Sequence, residues 1–187
     1  MSHQVLALDS AGSPNRWMLL KDAIQAHVHG KVAWSIGEPV FSMRGGINRA
    51  SGRQSIVETA AIISITGYDF RVRHFNRVPG LEAAKLFQRD RHTCAYCGGR
   101  FQAKNLEMEH IYPKSRGGPL SWMNLVSACN PCNGRKKNRT PDEAGMPLLY
   151  APYVPNNFEN FIMSSRNILA DQMDFLIAGV PKHSRLL

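Results

Sequence analysis

Apolar positions recur with two different periods in the first third of the chain, and these periods predict both strands and helices. Residues 4–8 form an apolar run that predicts a short strand, closed by turn residues at 9–14. From Trp17 to Val28 the apolar residues have a helical spacing, and Gly30 is a typical stop. Residues 31–36 have the character of a strand. The N-terminal region is therefore predicted to be a strand–helix–strand unit.

Three further segments before residue 80 leave alternatives open. Residues 42–55 are rich in Arg, Gly and Ser, which predicts a loop that either contacts phosphate or lies in solvent. Residues 56–65 are almost continuously apolar, so periodicity does not decide between a buried strand and a helix. A basic, partly alternating stretch predicts an edge strand, with phosphate contact again open. Its polar members are Arg71, Arg73, His74 and Arg77.

The second half of the chain begins after a Pro79-Gly80 break. Residues 81–89 have helical apolar spacing, and a Pro-interrupted segment after residue 145 predicts extended surface chain. A last helix is predicted from Asn156 or Asn157 to about Ala178. We therefore divide the chain into three parts. These are an N-terminal α+β region at 1–80, a central module at 81–145, and a Pro-rich segment with a C-terminal helix at 146–187.

Composition places the 187 residues among ordinary globular proteins, with 43% hydrophobic and 20% charged residues. The longest apolar runs are too short to span a bilayer. The first ten residues lack the basic start and apolar stretch of a secretory signal. We expect a cytoplasmic protein.

The net charge of +9 is concentrated in one segment of the chain. Residues 85–140 contain 11 Lys and Arg against three acidic residues. Such a concentration favours a polyanionic partner, because bound phosphates release counterions, although a solvated basic face is also compatible with it. An anionic membrane would require an amphipathic apolar helix beside the charge, and this segment has none.

All four cysteines fall in the same basic segment, as Cys94-x2-Cys97 and Cys129-x2-Cys132. In a reducing compartment a disulfide framework is the weaker interpretation, and a redox CxxC would use a single pair. Two CxxC pairs supply the four thiolates that tetrahedral zinc requires. With four protein ligands such a site is closed, so the Zn²⁺ would stabilise the fold without taking part in chemistry.

The residues between the two cysteine pairs predict a small unit built around the metal. Residues 106, 108 and 110 alternate as in a strand, and Gly117-Gly118-Pro119 forces a turn. The chain then returns through residues 122–126, and the second cysteine pair opens a short basic helix. Two strands and a helix around a metal are therefore expected.

The motif in this unit resembles that of the HNH endonucleases. His110, Asn124 and Asn133 are spaced by fourteen and nine residues, as in HNH motifs that end in Asn. The stretches His-Ile-x-Pro-Lys-Ser-x-Gly-Gly and Cys-x-x-Cys-Asn-x-x-Lys are similar to those of zinc-stabilised bacterial and phage members. The similarity covers about residues 85–145. It implies a ββα-metal fold and hydrolysis of DNA phosphodiester bonds.

The resemblance also implies roles for individual residues, and the residue types are consistent with them. Glu109 and Asn133 would hold a catalytic divalent cation, Mg²⁺ or another such as Mn²⁺, because hard cations prefer oxygen ligands. His110 would deprotonate the attacking water, and a histidine exchanges its proton near neutral pH. Asn124 would steady the loop and orient His110 by hydrogen bonds. Many members have Asp where this chain has Glu109, and Asn133 is also compatible with a turn residue after the second cysteine pair.

Six basic side chains near this motif are candidates for contact with the nucleic-acid backbone, although a solvated helix face has the same pattern. They are Lys114, Arg116, Arg135, Lys136, Lys137 and Arg139.

Three functions account for these features to different degrees. A metal-dependent endonuclease explains the cysteines, the charge and the spacing of the motif. A zinc-knuckle module that binds nucleic acid without cleaving it explains only the first two. A nicking component of a larger DNA-processing complex, or a homodimer, is also open, because residues 146–187 match no motif and could serve for docking.

Overall fold

The computed structural model describes residues 4–66 and 78–187, which divide into two compact units. The first unit contains residues 4–66 and Ser164–Gly179, and the second contains Val78–Met163 and Val180–Leu187. The C-terminal part predicted at 146–187 is thus shared between the units. The basic stretch containing Arg71, Arg73, His74 and Arg77 lies outside the described residues.

Strands and helices are interspersed along the chain. In chain order they are β1 (Gln4–Leu8), β2 (Pro14–Leu19), α1 (Leu20–Val28), β3 (Val32–Ile47), β4 (Gln54–Ile65), α2 (Ala83–Arg89), β5 (Leu106–His110), β6 (Leu125–Cys129), α3 (Asn130–Lys136), α4 (Pro141–Ala144), α5 (Asn157–Ser164) and α6 (Ala170–Ala178). In the described ranges, no helix has the length and apolar character needed to cross a membrane.

The first unit is built on a four-stranded sheet with the order β2-β1-β4-β3. β1 is antiparallel to β2 and parallel to β4, and β3 is antiparallel to β4. The buried halves of β1 and β4 pack with α1 in a core that includes Val5, Ala23 and Ile63. α6 joins this unit through the buried side chain of Gln172, whose amide nitrogen donates to the carbonyls of Gln4 and Ala61 at 2.8 and 2.9 Å.

Two predictions for the first unit are wrong. The predicted loop at 42–55 is largely strand: β3 continues to Ile47 and pairs with β4, leaving a turn at 48–53. The predicted helix beginning at Trp17 begins only at Leu20, because residues 14–19 pair with β1 as a strand. The segment at 56–65 is a strand, which resolves the alternative left open by its continuous apolar character.

The second unit contains the predicted strand–turn–strand–helix. β5 pairs antiparallel with β6, from Leu106 opposite Cys129 to His110 opposite Leu125, and α3 follows β6 directly. α2 lies within the predicted 81–89 range. Its Leu86 is buried with Trp122 and Leu125 in the core of this unit. The mixed α+β fold with a ββα-metal module is confirmed.

A buried ion pair connects α2 to β6. Arg89 and Asp90 are 0% exposed, and Arg89 Nε lies 2.8 Å from Asp90 Oδ1. The guanidinium also donates to the backbone carbonyls of Trp122, Tyr153 and Leu125. Asp90 in turn accepts hydrogen bonds from the backbone and hydroxyl of Ser127 at 2.8 and 2.9 Å. Because buried charges require such partners, this network fixes the helix on the strand that leads into the second cysteine pair.

The predicted C-terminal helix is wrong as a single element, because two helices occupy the range. α5 starts after Asn156, whose side chain accepts from the backbone of Glu159 at 2.9 Å, as predicted for an Asn cap. The second helix, α6, starts again at Ala170, where Gln172 accepts from the backbone of Leu169. The two helices contribute to different units, and the partial periodicity of the sequence carried no signal of this break.

Candidate nuclease site

The four cysteine sulfurs form a closed cluster. They lie within 4.8 Å of one another, and Cys97 Sγ is 3.9 Å from Cys129 Sγ. Four sulfurs at about 2.3 Å from one tetrahedral ion would be separated by roughly 3.8 Å. The first pair is joined by a tight turn in which Cys94 N donates to Gly99 O, and Gly98 has a φ of +72°. The cluster therefore suits a zinc ion.

Backbone amides help the cluster to carry negative charge. Burial by itself raises the pKa of the Cys94 thiol, but hydrogen bonds from backbone at Cys129, Cys97 and Tyr96 lower it to about 7. Burial raises the pKa of the Cys129 and Cys132 thiols. Without a cation the cluster cannot hold four thiolates, so its charge state depends on bound metal.

A second group of polar side chains lies between β5 and α3. Glu107 and Glu109 alternate on one face of β5, while Asn133 and Lys136 are one turn apart on α3. Asn133 Nδ2 donates to Glu107 Oε2, and Lys136 Nζ donates to Glu109 Oε1 at 2.6 Å. The structure thus brings the two predicted metal ligands, Glu109 and Asn133, onto facing surfaces of one strand and one helix.

Lys136 does not lie where a surface contact with nucleic acid requires it. Its side chain is 0% exposed, and its ammonium donates to Glu109 and to the His110 carbonyl at 2.7 Å. The prediction that Lys136 contacts nucleic acid is corrected accordingly. The physical reason is helical geometry: residue 136 is on the same face as Asn133, which points toward β5.

His110 ends β5 with its imidazole half-buried. Its Nε2 atom is buried and has no hydrogen-bond partner among the described residues. Its backbone is held by pairing with Leu125 and by the bond from Lys136. Buried polar atoms without a partner are rare in folded proteins, and they are found where a reacting group, a water molecule or an ion binds.

Asn124 holds the loop that follows His110. Its amide nitrogen donates to Tyr112 O at 3.1 Å and to Pro119 O at 3.0 Å, while its oxygen accepts from Tyr112 N at 2.9 Å. Gly118 packs inside this loop, since a Cβ there would overlap the carbonyl oxygen of Tyr112. The predicted role in steadying the loop agrees with these bonds. The predicted hydrogen bond to His110 does not, because the Asn124 side chain uses all three contacts on loop backbone.

The remaining basic candidates have different surroundings. Arg116 forms an exposed salt bridge with Glu143 at 2.6 Å, which raises the pKa of the guanidinium and lowers that of the Glu143 carboxyl. Arg139 donates to the carbonyls of Arg135 and Lys136 and so caps the end of α3. Lys114, Arg135 and Lys137 are exposed. These three carry the charge most available to a phosphate.

The sequence did not single out Glu107. The Glu107 carboxylate accepts a hydrogen bond from Asn133 Nδ2 and so orients the Asn133 amide. Asn133 Oδ1 then remains as the acceptor of that side chain. A signal was available in the two-residue spacing of Glu107 and Glu109, which places both carboxylates on one face of a strand.

Comparison with known proteins agrees with this geometry. Residues 94–149 match the model of a family described as HNH endonuclease. The CRISPR-associated endonuclease Cas9 of Campylobacter jejuni is 39% identical over 66 residues, which is 32% of this chain and 7% of that protein. The corresponding protein of Corynebacterium diphtheriae is 42% identical over 52 residues, 27% of this chain and 5% of that protein.

The family match lies within the second unit, and the chain spans less than a tenth of either relative. No solved structure is significantly similar to the chain. Over residues 94–149 the chain is therefore similar to the HNH endonucleases, in the unit that holds the cysteine cluster and the polar group between β5 and α3.

Proposed function

We propose that the chain is a metal-dependent DNA endonuclease that hydrolyses phosphodiester bonds with one catalytic cation and with His110 as general base. The observation that carries the proposal is the unpartnered, buried Nε2 of His110, directly next to the carboxylate of Glu109 in sequence. A base must keep one nitrogen that no protein group occupies, and an imidazole with both nitrogens bonded inside the protein could not accept a proton from water.

The donor atoms between β5 and α3 fit a hard divalent cation. Glu109 uses one carboxylate oxygen for Lys136 and retains the other, and the Asn133 amide is turned so that Oδ1 is available. We infer that Glu109 and Asn133 hold Mg²⁺ or Mn²⁺, with Lys136 and Glu107 orienting them. When bound, the cation would act as a Lewis acid on the scissile phosphate and stabilise the leaving 3′ oxygen.

The residues of the chain then divide the remaining tasks. His110 accepts the proton of the water that attacks in line with the leaving oxygen. Asn124 keeps the loop after β5 in place, and it acts on His110 through that loop. The zinc cluster supports the start of α3, so Asn133 is positioned directly after Cys132.

The basic surface of the second unit supports DNA as the substrate. Lys114, Arg135 and Lys137 are the candidates for backbone contact, and within the described ranges the Arg135 side chain donates only to the Met146 thioether. Arg116 and Arg139 are secondary candidates, because they already bond a carboxylate and backbone carbonyls. That the protein acts in the cytoplasm, and that it forms a homodimer or joins a larger complex, stay predictions.

The alternative is a zinc-knuckle module that binds nucleic acid without cleaving it. A supercoiled plasmid incubated with the zinc-loaded protein while Mg²⁺ or Mn²⁺ is titrated into metal-free buffer distinguishes the two. The endonuclease converts the plasmid to open-circular or linear DNA only when the cation is present. Zinc content measured before and after ensures that the structural metal is retained. Plasmid that binds yet stays intact at every cation concentration would favour the binding module.

A further inference from the structure

Among the described residues, most side chains in the outer half of the β3–β4 hairpin are exposed, and Phe41 at its base packs against the core of the first unit. Inward from Thr59, β4 is buried, whereas Val40, Ile47 and Ile56 are 53%, 68% and 60% exposed. Between the Pro39–Ala60 and Ile47–Gln54 pairs the ribbon extends about 20 Å, counted along β4 at roughly 3.3 Å per residue. A two-stranded ribbon of this length is an arm that the core of its unit does not require.

The tip of this arm is an ordered turn. Asn48 Oδ1 accepts from the backbone of Ala50 and Ser51, and Asn48 N donates to Arg53 O at 2.9 Å. On the flank, Gly45 lies against Ser55, so a side chain at residue 45 would overlap its hydroxyl. The end of the arm is therefore both preformed and thin, which lowers the entropy lost on binding.

The charge of the arm is mainly positive, with one acidic residue, Glu58, near its base. Arg44, Arg49 and Arg53 lie in the outer part, and no acidic residue occurs between positions 39 and 57. All three are exposed, and within the described ranges none of them forms an ion pair. Three exposed guanidiniums on a thin ribbon complement a polyanion.

We propose that the β3–β4 arm is a second DNA-binding element, which inserts its tip into a groove of double-stranded DNA. The proposal rests on the proposed function in taking DNA as the partner, and it assigns duplex recognition to the first unit. The major groove admits a two-stranded β-ribbon, guanidiniums bond phosphates and guanine edges, and exposed apolar side chains such as Ile47 suit thymine methyl groups. A second copy of the chain is a poor occupant, because pairing two arms would bring like charges together.

The test uses the full chain with His110→Ala in every sample, so that DNA is bound and not cut. The arm variant carries Arg44→Ala, Arg49→Ala and Arg53→Ala. A matched control loses the same charge from exposed positions elsewhere in the unit, through Arg16→Ala, Lys21→Ala and Lys31→Ala. Affinity for a short fluorescent duplex is measured by anisotropy over a series of salt concentrations, after circular dichroism has shown that both variants are folded.

The arm variant should flatten the slope of log K against log salt concentration by about 2 to 3 units, because each lost phosphate contact removes about 0.9. The control should flatten it much less. Equal slopes for the two variants would overturn the proposal. It would also be overturned if the arm variant alone lost binding to phosphatidylserine vesicles, or lost a dimer seen by sedimentation, while its DNA slope stayed unchanged.

These outcomes are separable from failure of the proposed function, because cleavage is scored on the parent protein with His110 intact. A parent that cuts no plasmid, with a slope that still depends on the arm, would refute the nuclease and leave the arm in place. If the parent cuts plasmid and the arm variant has the same salt slope as the control, the nuclease would stand and the proposed role of the arm would be refuted.

Discussion

Lys136 Nζ lies 2.6 Å from Glu109 Oε1, and the lysine side chain is completely buried. A basic residue in a nuclease motif is readily taken for a DNA contact, yet this one balances the charge of a proposed metal ligand inside the protein. The pair connects α3 to β5 across the site, and two predictions separate its role from that of its exposed neighbours.

Lys136→Met should lower the free energy of unfolding by about 3–5 kcal/mol, because it leaves the Glu109 carboxylate nearly buried without its partner. Thermal or urea unfolding in the absence of added Mg²⁺ measures this directly. Lys137→Met, one residue further on and exposed, is the matched control and should change stability by no more than about 0.5 kcal/mol. Equal stability of the two variants would contradict the buried pairing.

Replacing Arg135 and Lys137 with Ala should instead affect binding. If both side chains neutralise phosphates, the slope of log K against log salt concentration should flatten by roughly 2 units. The double variant should also cut more slowly at saturating Mg²⁺, because the defect lies in holding DNA. A slope equal to that of the parent would place both side chains in solvent during binding, and DNA would then have to contact other basic residues.

Glu107→Ala should raise the Mg²⁺ concentration needed for half-maximal cleavage by about 10–100-fold, the usual effect of losing a residue that orients a metal ligand. Glu107→Gln retains an oxygen that can accept from Asn133 Nδ2, so it should be the milder variant. A plasmid-cleavage series over Mg²⁺ concentration compares them. An unchanged Mg²⁺ requirement in Glu107→Ala would remove this residue from the site.

Cys129→Ser should abolish the cooperative thermal transition of the second unit, or make the protein insoluble, because a small metal module depends on its ion for folding. Zinc content and calorimetry on the same sample provide the measurement, with the zinc-loaded parent as the reference. A normally folded variant without bound zinc would show that the cluster is dispensable.

The sequence predicted the second unit best, because metal ligands and tight turns fix the spacing of their residues. Cysteine pairs, alternation through His110 and glycines at the turn define the second unit, because a metal cluster and a tight loop accept few residue types. The prediction failed where strand pairing overrides local signals. Residues 42–47 belong to the Arg-, Gly- and Ser-rich segment predicted as a loop, yet they extend β3 along β4. The burial of Lys136 and the contact of Glu107 with Asn133 depend on how α3 packs on β5. The residues next to them in sequence do not indicate which side chain each of them contacts.

The most direct test of the account is the cleavage rate of His110→Ala at saturating Mg²⁺ on supercoiled plasmid. The rate should fall by ~10²–10⁴, the typical loss when a general base is removed. Zinc content, thermal stability and duplex affinity should stay those of the parent, and His183→Ala, at an exposed histidine of the same unit, should cut normally. Full cleavage by His110→Ala would contradict the proposed mechanism and place the base elsewhere.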